Sequence, residues 1–216
     1  VKYLVIGVLM CTWKIIYYAP NTLWMLRARR ALKASSERSA RVDEVMALEP
    51  TRAYHGLRLL LPLSPGWREL WARCFLPVAL LRFGLLPALF LPLGTGAALS
   101  VLLNVVLAEA LANLHAFLII VPNHSGADLH RYAAPIEDRA EFYWRQITGS
   151  ANYTGGTDLS DFLQGYLNYQ IEHHLWPSLP ALTYRDLQPK VQAVCEKHGI
   201  PYVIEPLPRR VGKMVR

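Results

Sequence analysis

Residues 74–93 have the sequence CFLPVALLRFGLLPALFLPL, and residues 97–121 have the sequence AALSVLLNVVLAEALANLHAFLIIV. Both stretches are almost entirely apolar, and each is long enough to cross a bilayer, which takes roughly 17–25 helical residues. Gly94 and Gly96 flank Thr95 between them, a pattern that favours a tight turn. We therefore predict an all-α membrane protein built around a transmembrane helical hairpin.

The residues before this hairpin are expected to form a helix that does not cross the membrane. Residues 1–19 are apolar, but Lys14 interrupts them and leaves too short a run to cross the hydrocarbon core. We expect an interfacial or partly buried apolar helix that ends near Pro20. Residues 20–71 are expected to form a cytoplasmic basic helix, reaching about Ala40, followed by a polar linker.

The composition also indicates a membrane protein with attached water-facing segments. Hydrophobic residues make up 53% of the chain and charged residues 18%, which is too apolar for an ordinary soluble domain. The net charge of +7 does not indicate nucleic acid, because the basic residues cluster beside the apolar segments, as positive-inside bias predicts. We expect both clusters on the cytoplasmic side, near anionic lipid. The clusters are Arg27, Arg29, Arg30, Lys33, Arg38 and Arg41, and then Arg209, Arg210, Lys213 and Arg216.

Residues 124–216 are mixed in character and predict a cytoplasmic helical segment. Asp158 follows a loop rich in Gly, Ser, Asn and Thr and is a plausible N-cap. The apolar spacing after it predicts a helix that buries one face and continues into residues 170–174. That face comprises Leu159, Phe162, Leu163, Tyr166 and Leu167. A further helix is predicted from Tyr184 to His198, ended by Gly199.

Gln170-Ile171-Glu172-His173-His174 is the stretch most suggestive of chemistry. A helix advances about 100° per residue, so Gln170, His173 and His174 share one face. Imidazole is a ligand for iron, copper or zinc, although two imidazoles leave a metal under-coordinated. Taken as a bare pair, the histidines also fit a solvated or hydrogen-bonded core pair. Glu172 points off this face, where it is either a hydrogen-bonding neighbour of the site or a surface carboxylate.

Residues 159–177, LSDFLQGYLNYQIEHHLWP, resemble the third histidine box of the membrane fatty acid desaturases. The Gln-x-x-His-His form resembles that of the front-end group, and the likeness is tight from about Asn113 to Tyr202. By this resemblance His173 and His174 are iron ligands, and Gln170 takes the place of the first histidine of the usual box.

The same resemblance extends to the end of the second apolar stretch. Pro122-Asn123-His124 is similar to the Asn-His element of front-end desaturases, which implies that His124 is a further ligand of a centre of two iron ions. Asn123 then orients His124, holds a water or simply caps the helix. Histidines elsewhere in the sequence lack partners at ligand spacing.

The family implies an O₂-dependent reaction that places a cis double bond in a fatty acyl chain, carried as acyl-CoA or acyl-lipid. Electrons would come from a cytochrome-b5-type or ferredoxin donor. This sequence contains neither of the family's first two histidine boxes, and at most three of its seven histidines match ligand positions. We therefore expect a C-terminal fragment of a longer parent, inactive alone. The alternatives are a membrane di-iron lipid hydroxylase and a truncated, non-catalytic membrane remnant.

Overall fold

The computed structural model describes residues 2–34, 58–132, 136 and 138–215. The described residues fall into two compact units, divided between Ala116 and Phe117. Trp67–Leu93 and Thr95–His124 are long and apolar enough to cross a membrane. The predicted class, an all-α membrane protein, is confirmed.

The first unit begins with a bent pair of helices. Helix α1 covers Lys2–Cys11, a π-helical turn covers Lys14–Tyr18, and α2 covers Ala19–Ala34. The two arms meet at 76°, so the segment is a broken span or a re-entrant loop. The expected end near Pro20 is wrong: the chain stays helical from Lys14 to Ala34, and the wider π-helical turn directly before Pro20 accommodates its ring. The predicted continuation to Ala40 and the linker before Arg58 lie outside the described residues.

Helix α3, Trp67–Leu93, accommodates its prolines by widening its turns. π-Helical stretches at Trp71–Phe75 and Ala79–Leu85 alternate with short α-helical pieces that contain Pro77 and Pro87. A proline ring collides with the carbonyl one turn earlier, and a wider turn relieves that collision. The π-helical turns are the form that the irregularity at these prolines takes.

Charges in the apolar segments of the first unit are paired. Helix α4, Thr95–Ile120, carries Glu109, which accepts a hydrogen bond from Lys14 Nζ at 3.0 Å and another from Arg82. The Lys14 backbone N–H donates to Asn113 Oδ1 at 2.7 Å. An unpaired charge in a bilayer is costly, so these contacts explain how an apolar helix tolerates Lys14.

The second unit contains the end of α4 and a set of short elements. They are a 3-10 turn at Pro122–His124, α5 (Arg139–Thr148), β1 (Asn152–Tyr153), α6 (Asp158–Leu163), a 3-10 turn at Leu167–Tyr169, α7 (Gln170–Leu175), α8 (Thr183–His198), β2 (Ile204–Glu205) and α9 (Leu207–Val215). The two strands pair in parallel. A buried core joins α5, α7 and α8. Its members are Ile147, Ile171, Leu175, Val191 and Cys195.

Three expectations for α6 are wrong. Thr157 rather than Asp158 is the N-cap, in a capping box with Ser160. Leu159 and Phe162 are 68% and 73% exposed instead of buried. Helical spacing marks an apolar face, but it does not show what covers that face. The helix also ends before Gly165 and does not continue into the histidines.

The second basic cluster does not lie free on the surface. Arg210 on α9 is fully buried, and Arg209 and Lys213 pair with Glu205 at 3.1 and 2.8 Å. Lys213 also pairs with Asp128 at 2.8 Å. The expectation that this cluster faces anionic lipid is therefore wrong for Arg210, because the carboxylates of Asp128 and Glu205 neutralise it.

Candidate metal centre

The helix that carries the paired histidines is positioned by the turn before it. Gly165 and Tyr166 both adopt left-handed conformations, with φ of 57° and 59°. This conformation suits glycine and is uncommon for other residues. The chain reverses here, passes through the turn at Leu167–Tyr169 and enters α7.

Helix α7 is anchored on the side away from His173. Ile171 and Leu175, one turn apart, belong to the buried core. Asn152 Oδ1 accepts a hydrogen bond from the Ile171 N–H at 2.9 Å, and this first-turn group has no partner within the helix. His173 and His174 occupy intervening positions and are half-buried.

Three of the predicted site residues lie together. The imidazole of His124 stacks on that of His174, with ring centroids 4.9 Å apart and planes inclined by 20°. His173 is next to them, its ring centroid 6.0 Å from that of His174. Tertiary structure therefore brings the histidine after α4 to the two on α7.

His173 has a partner that the sequence did not reveal. Its Nδ1 lies 3.4 Å from the hydroxyl of Tyr184, a buried residue at the start of α8. That hydroxyl donates toward the carbonyls of Trp176 and Leu179, at 3.1 and 3.3 Å. The tyrosine oxygen therefore accepts from a protonated Nδ1, which leaves the lone pair on Nε2 of His173 available.

Burial keeps the histidines on α7 neutral. Burial, followed by the neighbouring imidazoles of His124 and His173, lowers the pKa of His174 to about 3. Burial also lowers the pKa of His173. Neutral imidazole is the form that binds a metal, so at neutral pH no proton has to be displaced from the ligand nitrogen.

Asn123 and Gln170 are buried beside the histidines. Asn123 Nδ2 donates to the Leu167 carbonyl at 2.8 Å and, more weakly, to Gln170 Oε1 at 3.4 Å. Asn123 Oδ1 is buried and has no hydrogen-bond partner among the described residues. Asn123 is not a helix cap, and an unsatisfied buried oxygen next to His124 suits a water or another polar group.

Glu172 is fully buried, so its interpretation as a surface carboxylate is wrong. It accepts hydrogen bonds from the Tyr202 hydroxyl at 2.5 Å and from Asn152 Nδ2 at 2.8 Å. Burial raises its pKa, although these two hydrogen bonds act in the opposite direction. Its partners belong to β1 and to the segment before β2, so Glu172 connects α7 to those elements.

Within the described residues, no group of three His, Cys, Asp or Glu side chains is arranged to hold a metal. The stacking of His124 and His174 gives a reason, because an imidazole lone pair lies in the ring plane and nearly parallel planes do not direct two lone pairs to one point. The donor chemistry nevertheless fits a metal, since neutral imidazoles lie beside an unsatisfied buried oxygen.

The fold and this cluster define a helical membrane protein with a histidine-rich site directly after a spanning helix. The family model described as fatty acid desaturase matches residues 6–206. The chain belongs to the fatty acid desaturase family.

Curated relatives match shorter segments. The chain is 42% identical over 80 residues to the fatty acid desaturase 2-like protein of Mus musculus, covering 37% of this chain and 16% of that protein. It is 38% identical over 80 residues to the NADPH-dependent stearoyl-CoA 9-desaturase of Mycobacterium tuberculosis, covering 37% and 18%. It is 34% identical over 123 residues to the Delta(8)-fatty-acid desaturase of Euglena gracilis, covering 57% and 28%.

The alignments therefore span less than a third of each of these relatives. No solved structure matches the chain significantly.

Proposed function

We propose that this chain forms part of a membrane di-iron desaturase, to which it contributes His124, His173 and His174 as ligands. The observation that carries the proposal is the proximity of the three histidines: the ring centroid of His174 lies 4.9 Å from that of His124 and 6.0 Å from that of His173. Membership of the desaturase family supports it. Gln170, Asn123 and Glu172 act around the ligands and do not bind iron.

The chain's own residues hold and orient the imidazoles. Tyr184 keeps the proton of His173 on Nδ1, so that Nε2 is the ligand nitrogen. Glu172, through Tyr202 and Asn152, fixes the rotation of α7. When bound, iron supplies the activation of O₂ and the removal of hydrogen from the acyl chain.

The proposed reaction is balanced by an external electron donor. Two adjacent methylene groups lose one hydrogen each and become a cis double bond. O₂ takes up these two hydrogens, two electrons and two protons, and leaves as two waters. The electrons come from a cytochrome-b5-type or ferredoxin donor, and the acyl group is carried as acyl-CoA or as an acyl-lipid.

Three histidines are too few for two irons, so the chain alone is expected to be inactive and to need ligands from elsewhere in a longer protein. We place the metal site on the cytoplasmic side. Arg27, Arg30 and Arg73 surround Glu69 near the start of α3 and leave an excess of positive charge there. Two crossings return the chain to that side before His124.

A metal titration tests the ligand assignment. The chain, purified in detergent without oxygen, is titrated with Co(II), whose visible spectrum reports nitrogen coordination. We expect His124→Ala and His174→Ala to weaken binding, whereas His198→Ala, an exposed histidine on α8, keeps the wild-type curve. Equal binding by all four proteins would exclude these residues as ligands.

A product assay tests the reaction. The longest gene product that contains this chain is expressed in a host without the activity, and its fatty acids are analysed by gas chromatography. We expect a new cis-unsaturated product that disappears in the His173→Ala/His174→Ala variant. A hydroxylated product would assign the chain to the hydroxylases, and full desaturation by the variant would exclude the ligand roles.

A further inference from the structure

Arg210 on α9 has an unusual environment for a basic residue near the end of a chain. Its side chain is fully buried, and its guanidinium is directed at the loop that follows α4. It lies outside the residues that the desaturase family model matches. A buried arginine needs both a counter-charge and acceptors for its N–H groups.

The acceptors are the two backbone carbonyls that flank His124. Arg210 Nε donates to the Pro122 carbonyl at 3.2 Å, and Nη2 donates to the Ser125 carbonyl. The planar guanidinium directs N–H groups along fixed, diverging lines, so one side chain reaches both carbonyls at once. A lysine ammonium is a compact donor without this fixed geometry.

Two carboxylates supply the counter-charge. Arg210 Nη1 donates to Asp128 Oδ2 at 2.6 Å and to Glu205 Oε2 at 3.3 Å. Lys213 donates to the same two carboxylates, each at 2.8 Å. The guanidinium is therefore fixed from its own helix, from β2 and from the loop, and it has little freedom to follow a different loop conformation.

The loop is shaped to receive the guanidinium. Gly126 has a φ of +131°, and a Cβ added there would lie 2.5 Å from Asp128 Oδ1 and 3.1 Å from Arg210 Nη2. Only glycine combines this backbone conformation with so close an approach.

We propose that Arg210 is a positioning residue: by bonding the carbonyls of Pro122 and Ser125, it fixes the turn that places the His124 ring against His174. Its consequence for metal binding rests on the proposed function, whereas the positioning itself does not.

The test uses diethyl pyrocarbonate, which acylates accessible neutral imidazoles, on the whole chain in detergent. The rate at each histidine is read by peptide mass spectrometry. In Arg210→Lys we expect His124 and His174 to react about tenfold faster. Losing a charge-assisted hydrogen bond to a buried carbonyl should increase the equilibrium constant for local opening of this loop by about that factor. The exposed His130 and His198 are internal references whose rates stay unchanged.

Arg209→Lys is the matched control. Arg209 is the adjacent residue, its side chain is 68% exposed, and it pairs with Glu205 at 3.1 Å without bonding the loop. We expect wild-type rates at all four histidines in this variant.

A second variant approaches the contact from the loop. Gly126→Ala crowds the guanidinium and should accelerate His124 and His174 as Arg210→Lys does. Its control is Gly156→Ala, where φ is +116° and nothing lies within 4 Å of the added Cβ. The control carries the backbone strain without the collision, so we expect it to leave both rates unchanged.

The outcomes separate the two hypotheses. Unchanged His124 reactivity in both Arg210→Lys and Gly126→Ala overturns the positioning role. A uniform rise at all four histidines also overturns it, because it indicates a general loss of folding. Selective acceleration, together with equal Co(II) binding by the wild-type chain and its His124→Ala and His174→Ala variants, supports the positioning role and rejects the proposed ligands.

Discussion

The hydroxyl of Tyr202 offers the sharpest test of how α7 is held. It donates to the buried carboxylate of Glu172 at 2.5 Å and accepts from Asn152 Nδ2 at 2.8 Å. Tyr202→Phe removes this hydroxyl and keeps the ring, so it creates little cavity. We expect α7 to open more easily, because the buried carboxylate loses its hydroxyl donor, although the Asn152 donor remains at 2.8 Å from Oε2.

The magnitude follows from the kind of hydrogen bond that is lost. A hydrogen bond to a charged group contributes about 1.5–3 kcal/mol. A factor of ten in an equilibrium corresponds to about 1.4 kcal/mol, so opening should become roughly 10- to 100-fold more frequent. Cys195 reports this opening, since its thiol is buried in the core that also contains Ile171 and Leu175.

The assay is the rate of Cys195 alkylation by a maleimide, resolved by mass spectrometry from the rates of Cys11 and Cys74. Tyr143→Phe is the matched control. Tyr143 packs against the same core, but its hydroxyl accepts only an exposed hydrogen bond, from Arg139 at 3.1 Å. We expect Tyr143→Phe to change the Cys195 rate by less than about threefold.

The effect of Tyr202→Phe on the rate of Cys195 labelling should depend on pH. Burial raises the pKa of Glu172 in the folded state, so ionisation costs stability as the pH rises above about 4.5. The Tyr202 hydroxyl opposes this rise in the pKa of Glu172, so its removal raises that pKa further. Ionisation of Glu172 then continues to lower the stability of the folded state up to a higher pH. The ratio of Tyr202→Phe to wild-type labelling should therefore grow from about pH 5 to about pH 8. A ratio near one across this range, or equal acceleration by Tyr143→Phe, would refute the role given to this hydroxyl.

Two further substitutions test the polar and apolar contacts separately. Asp161→Asn should lower the free energy of unfolding, measured by thermal unfolding, by about 3 kcal/mol. It removes the charge of a fully buried carboxylate that accepts hydrogen bonds from several donors. Asp158→Asn is the control: its side chain is 95% exposed, and the free energy of unfolding should change by less than about 0.5 kcal/mol. Burial raises the pKa of Asp161 but its hydrogen bonds lower it further, so this difference should shrink as the pH falls below about 4. Leu70→Ala should lower local stability by about 2–5 kcal/mol and make Cys74, which packs against the apolar cluster that contains Leu70, more accessible to alkylation. Leu63→Ala, at a position 90% exposed, should do neither.

The spans and the histidine face could be predicted because each depends on local chain geometry. Residues 74–93 and 97–121 are apolar over the length of a bilayer. In lipid, the backbone N–H and C=O groups of such a segment must be hydrogen-bonded within it, so it forms a helix independently of the rest of the chain. Gln170, His173 and His174 share a face through helical periodicity, which holds even though α7 is only one and a half turns long.

The partners of buried polar groups could not be predicted. Arg210 meets Asp128 across 82 residues, and Glu172 meets Tyr202 across 30. When no such partner is known, an arginine is expected to be exposed to solvent. The hydroxyl of Tyr184 likewise reaches His173 only because α8 folds back over α7, and nothing in the local sequence indicates that contact.

These unpredicted contacts share a geometric role. Apolar packing of Ile171 and Leu175 fixes α7 against its core but tolerates small rotations, because dispersion and hydrophobic contacts have little directionality. A metal ligand must direct its lone pair to within a few degrees, and only directional bonds restrict rotation to that extent. In this chain one set of those bonds comes from Asn152, upstream of the histidines, and the others come from Tyr184, Tyr202 and Arg210, downstream of them. The orientation of the imidazoles therefore depends on the C-terminal segment as much as on the histidine motif, and substitutions there should alter the site before they unfold the protein.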